Sequence, residues 1–226
     1  MSDVWSSVYE SPLHHPAIAW VGVALGALAL ARRLPFLHGY LVVFGLEIFA
    51  DALASAPFTK LPGAWATAVG VTFVVLGDLR FFVLVERHAR AASSLTARAL
   101  LAAVALSLVV PAASTAIRLA VPAVAATPRL QYLVYEVAFL AVALAYAFMV
   151  LPLRLADAPP DVRRWLGAVA LFEAAQYALW ALADVIIHFG GQSWGLGLRL
   201  LPNALYYALF LPFVFVTAPA RMRAVA

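Results

Sequence analysis

No cysteine occurs in the 226 residues. Disulfides, thiolate metal sites and a cysteine nucleophile are therefore excluded together. Charge is also scarce: Asp, Glu, Lys and Arg make up 12% of the chain, about half the share of a soluble domain. Gly-rich phosphate loops and an HExxH pair are missing, which leaves no ready-made nucleotide or zinc-protease signature. The opening MSDVWSSVYESPLHHP is polar and has no Lys or Arg to form a basic n-region, so a cleaved signal peptide is not expected.

Apolar residues take up the difference, at 65% of the chain with mean hydropathy +0.96. That composition predicts an all-α polytopic membrane protein, with one domain over residues 1–226. The seven apolar spans run roughly Ala17–Ala31, His38–Pro57, Gly63–Val85, Leu95–Val121, Leu130–Leu151, Trp165–Phe189 and Leu196–Val216. All but the short first one reach the ~20 residues needed to cross the hydrocarbon layer. Pro16 can open the first span, where its missing N–H costs nothing. Short connections force neighbouring spans antiparallel.

Loop charge then predicts orientation. Ten basic residues (Arg32, Arg33, Arg87, Arg90, Arg98, Arg154, Arg163, Arg164, Arg221 and Arg223) fall on one side and two (Lys60 and Arg129) on the other. The positive-inside bias puts the N-terminus outside and the C-terminus in the cytoplasm, in the plasma or inner membrane of the cell. This use of the arginines also accounts for the net charge of +4 and pI near 9.7. The expected partner is the lipid bilayer, and no nucleic acid is expected. A three-plus-one-plus-three repeat is hinted at by Leu34-Pro35 and Leu151-Pro152, and by Glu47 and Glu173 in spans two and six.

Polar residues within the spans line up. Glu173, Gln176, Tyr177, Trp180, Asp184 and His188 fall within about 120° of one helix face. Span two aligns Tyr40, Phe44, Glu47, Asp51 and Ser55, and span four aligns Ser107, Pro111, Ser114 and Arg118. Span five aligns Tyr132, Tyr135, Glu136, Phe139 and Tyr146, while span seven aligns Arg199, Asn203, Tyr206 and Phe210. One such stripe per helix predicts a lipid-facing outside and a polar interior. Ionisable groups inside a membrane mark a site or a structural pair. The candidate substrate- or ion-binding set is Glu47, Asp51, Arg118, Glu136, Glu173, Gln176, Tyr177, Trp180, Asp184, His188, Arg199, Asn203 and Tyr206. Arg118 or Arg199 is expected to pair with Glu136 or Asp184. Arg80 lies about 200° from Asp78 on an ideal helix and is expected to snorkel to the headgroups with Arg87, leaving Glu47 and Glu173 without a nearby cation.

Asp184 and His188 stand four residues apart, a usable but thin metal-ligand spacing. No metal or other cofactor is expected. A retinal Schiff base is excluded because span seven contains no lysine.

Three functions fit. Acids staggered through the depth suit proton- or cation-coupled transport of a small solute, with Pro111 and Pro202 breaking helices to free carbonyls. Desolvated acids among aromatics also suit an enzyme acting on a lipid or isoprenoid, with Glu47, Glu173 or Asp184 as the catalytic group; a metal-dependent hydrolase is a variant. The third is an accessory or sensory subunit with a ligand in the bundle. Glu47 within FGLEIFADAL and Asp78 within GDLRFF resemble the small seven-helix integral-membrane terpene cyclases over spans two and three. That resemblance implies acid-initiated cyclisation of an isoprenoid. Those cyclases also place an acid in the last helix, and span seven has none.

Overall fold

The computed structural model describes residues 4–11, 35–54, 59–89 and 95–223, and among these the backbone is helical with no strand. In chain order the helices are α1 (Val4–Tyr9), α2 (Pro35–Ala54), α3 (Gly63–His88), α4 (Ala97–Ser107), α5 (Val109–Ala120), α6 (Pro122–Ala126) and α7 (Pro128–Ala145). A π-helical turn, Tyr146–Val150, joins α7 to α8 (Leu151–Arg154). The long α9 (Pro160–His188) follows, then α10 (Trp194–Leu198) and α11 (Leu200–Ala204). A second π-helical turn, Leu205–Leu209, leads into α12 (Phe210–Thr217) and α13 (Ala220–Arg223).

Five segments are long and apolar enough to cross a bilayer: Ala68–His88, Ala97–Ala120, Arg129–Arg154, Pro160–His188 and Trp194–Thr217. They correspond to expected spans three to seven. The second expected span is represented by α2, whose 20 residues rise about 30 Å. The first expected span lies outside the described residues. The exterior carries bare hydrocarbon, with Leu119 83% and Leu153 80% exposed. Side chains of that kind require lipid rather than water around them.

Prolines shape the long helices. Each proline ring collides with the carbonyl four residues earlier and supplies no N–H. The fourth span is interrupted at Leu108, ahead of Pro111, and the seventh at Arg199, ahead of Pro202. Pro152 and Pro212 have a milder effect: the carbonyls they press on, Phe148 and Ala208, lie inside the two π-helical turns. Proline at the opening helical positions of α7 and α9 is harmless, because no intrahelical donor is lost there. Thr96 caps α4 by accepting a hydrogen bond from Ala99 N at 3.1 Å.

The bundle is organised around α9, which touches α3, α7, α8, α10, α11 and α12. The second half of α3 is enclosed as well: Arg80 through Glu86 are all buried. Aromatic contacts knit these helices, with Phe81 and Phe82 each 5.4 Å from Tyr146 and Phe139 4.3 Å from Tyr177. Such pairs contribute about 1 kcal/mol apiece beyond area burial. Trp165 Nε1 donates to the Val214 carbonyl at 3.0 Å, tying the start of α9 to α12.

Candidate functional site: a buried polar network

Polar side chains from α2, α3, α7, α8, α9 and α11 meet inside the bundle in three groups. The first sits where α9 ends. Asp184 accepts from Arg199, and Arg129 stands 3.3 Å from the same carboxylate oxygen. Arg199 also donates to Glu136 at 3.4 Å. Asp184 is 0% and Glu136 3% exposed. Two guanidiniums thus face two acids, and their charges cancel. The helix break at Arg199 belongs to this arrangement, for Arg199 is the residue left between α10 and α11. Nearby, α1 packs on α10, and its Trp5 ring lies so close to Gly197 that an added Cβ would come within 2.5 Å of Trp5 Cε3.

The second group lies in the middle of the bundle. Asp78 accepts from Tyr135 through one oxygen and from Tyr177 through the other, the latter at 2.7 Å. The two phenol oxygens are 3.2 Å apart. Arg80 is 0% exposed. Its Nε lies 3.9 Å from Glu47 and donates to the Gly77 carbonyl at 3.1 Å, while Nη1 donates to the Tyr206 carbonyl at 3.2 Å. The guanidinium also stacks over the Tyr206 ring, 4.0 Å from its centroid. Tyr206 belongs to the second π-helical turn, where widening of the helix leaves its carbonyl open to a side-chain donor. Gly77 allows this approach: a Cβ there would stand 1.8 Å from the Tyr206 hydroxyl.

The surroundings complete the group. Tyr40 donates to the Arg80 carbonyl at 3.1 Å, and Gln176 donates to Glu173 at 3.4 Å. Trp180 Nε1 donates to Asn203 at 2.7 Å, bridging the central and first groups. A third, smaller group at the opposite end pairs Arg154 with Glu86 through two hydrogen bonds.

The geometry corrects the sequence reading at several points. Arg80 does not snorkel; it points inward, and it supplies the cation that Glu47 and Glu173 were expected to lack. Two residues apart, Asp78 and Arg80 lie on different faces of α3, but α3 is enclosed on both, so both side chains are inside. Arg199, not Arg118, pairs with Glu136 and Asp184. Arg118 is exposed in the last turn of α5, with no ion pair among the described residues. His188 is also exposed, while Asp184 is taken up by arginines, so the two do not share a ligand site. Among the described residues no three His, Cys, Asp or Glu side chains gather to hold a metal ion. Glu47, Asp51, Glu136, Glu173, Gln176, Tyr177, Asp184, Asn203 and Tyr206 are buried, with Trp180 and Arg199 half-buried. Ser55 of the span-two stripe lies outside the described residues, and Tyr132 of span five is 55% exposed.

Asp78, Arg80, Arg129 and Tyr135 belong to the network without belonging to the binding set expected from the sequence. Asp78 and Arg80 carried a signal, since two charges two residues apart in an otherwise apolar span imply a helix buried on more than one side. Arg129, counted as a loop charge, carried none.

Compared with known proteins, the chain matches no family model, no curated protein and no solved structure. The five apolar spans make it a helical protein of the integral-membrane class.

Proposed function

We propose that the chain spans the cell's plasma or inner membrane seven times, N-terminus outside and C-terminus in the cytoplasm, and moves a small solute in step with a proton or another cation. The span count adds α2 and residues 17–31 to the five apolar segments, and the orientation follows from the arginine-rich loops.

The observation that supports transport is the succession of polar groups along the bundle axis. The Arg129–Asp184–Arg199–Glu136 group is followed by Trp180 and Asn203, then by Tyr177, Asp78 and Tyr135, then by Glu173, Arg80 and Glu47. Glu86 and Arg154 stand beyond them. At 1.5 Å per residue, Asp184 lies about 10 Å along α9 from Tyr177, and Glu86 about 12 Å along α3 from Asp78 in the other direction. Ionisable groups spread over some 22 Å suit a path better than a single reaction centre. Flux into proteoliposomes holding the purified protein tests this. Uptake of at least one solute from a chemically diverse panel should follow an imposed pH or cation gradient and fall in Glu173→Gln. Uptake indifferent to every gradient would remove the transport reading.

One observation favours a second reading, an acid-catalysed enzyme acting on an isoprenoid. Asp78 sits beside a cluster of rings, with Tyr135, Phe139 and Tyr177 in mutual contact and Trp180 against Tyr177, and such faces stabilise carbocations. Conversion of polyprenyl substrates by the purified protein, abolished in Asp78→Asn, is its test.

A further inference from the structure

Four carboxyl groups and one guanidinium share the middle of the bundle: Glu47 and Asp51 from α2, Asp78 and Arg80 from α3, and Glu173 from α9. All five are buried, none more than 8% exposed. Tyr40 and Tyr206 complete the titratable groups facing Glu47, together with Tyr207, which is hydrogen-bonded to Asp51. Arg80 balances one negative charge. The remaining acids need positive charge from elsewhere, because bare carboxylates are not tolerated in an apolar interior.

The acids differ in how they are held. Asp78 has two phenol donors, Asp51 has Tyr207, and Glu173 has Gln176. Neither oxygen of Glu47 has a hydrogen-bond partner, and Arg80 Nη2 and Gln176 Oε1 are also unpartnered. Three polar groups more than nine-tenths buried thus have open hydrogen-bonding positions in one region. No metal-binding set of His, Cys, Asp or Glu occurs among the described residues, so the small cation that suits the region is the proton, which needs no coordination shell.

We propose that the central cluster is a proton-binding site, in which Glu47 takes and releases the exchangeable proton, Arg80 is the fixed cation beside it, and the acids that Arg80 does not balance stay protonated. The proton arrives from water, forms an O–H bond on a Glu47 carboxylate oxygen and returns to water, with no redox partner. This assignment names the coupling ion of the proposed transport cycle and places it away from the charge-balanced group at the end of α9.

Infrared spectroscopy of the full chain in lipid, recorded over a pH series in H2O and D2O, tests it without a transport assay. The expected result is a deuterium-sensitive carbonyl band of a protonated carboxyl. Its pH-dependent component should disappear in Glu47→Gln, persist in Asp184→Asn, and move to a new frequency in Glu47→Asp, which keeps a carboxyl if the Gln variant does not fold. A band unchanged in the Glu47 variants, or absent from the wild type at every pH, would overturn the proposal. So would a band erased by sodium or potassium at constant pH, which would make the site a metal-cation site. The band with gradient-indifferent flux would leave the proton site standing and remove transport. Gradient-driven flux with a band unaffected by Glu47 substitution would do the reverse.

Discussion

The two main charged groups of the bundle use the same residue types in different proportions. At the end of α9, Arg129 and Arg199 face Asp184 and Glu136, and the charges close on themselves. In the middle, Arg80 is the one cation among the described residues beside Glu47, Asp51, Asp78 and Glu173. A balanced buried set is a means of joining helices, and its net contribution to stability is modest because desolvation offsets attraction. An unbalanced set is costly to maintain unless something mobile supplies the missing charge. The first group therefore reads as a clasp and the second as a site.

Substitutions can break or sharpen that contrast. The largest effect is expected from Arg80→Met, which strips from the central acids the one guanidinium found there among the described residues; the loss should reach about 3–5 kcal/mol, seen as a collapse of the thermal unfolding midpoint in detergent. Arg199→Met should cost less, about 2 kcal/mol, because Asp184 keeps Arg129 at 3.3 Å. If Arg199→Met proves the more damaging, the roles of clasp and site are reversed.

Gly77→Ala comes next. A Cβ 1.8 Å from the Tyr206 hydroxyl forces the ring off Arg80, at about 2 kcal/mol for overpacking. Adding Tyr206→Phe should recover only part of this, since ring carbon Cζ would still stand 2.7 Å away.

A smaller loss, about 1 kcal/mol each, is expected for Tyr135→Phe and Tyr177→Phe, in line with side-chain hydrogen bonds measured within membranes. The same unfolding measurement checks both, and strict additivity between them would argue against the shared Asp78 acceptor. The smallest effect belongs to Arg221→Ala. Its pair with Asp161 has side chains 53% and 36% exposed, and at physiological salt no resolvable change in the midpoint is expected.

Much of the helical plan was legible in the sequence. Runs of apolar residues gave the five spans within a few residues, and the polar stripe on α9 marked the helix that touches most others. The breaks ahead of Pro111 and Pro202 were legible too, because the clash of a proline with its own helix is local. The π-helical turns ahead of Pro152 and Pro212 have the same local cause but were not anticipated, since a proline can be met by a break or by a widening. The partners of the charges were legible only in part. Arg199 with Glu136 or Asp184 was among the pairs expected, whereas the inward turn of Arg80 was not. A helical wheel assigns faces but does not say how many of them neighbouring helices cover.

Composition and periodicity alone determined that this chain builds apolar spanning helices with polar groups confined to particular faces, because hydrocarbon leaves backbone and side chains no other partners. The tertiary structure alone decided which acid meets which arginine. That choice depends on helices distant in sequence arriving at one depth, and on a glycine and a widened turn letting Tyr206 lie against Arg80.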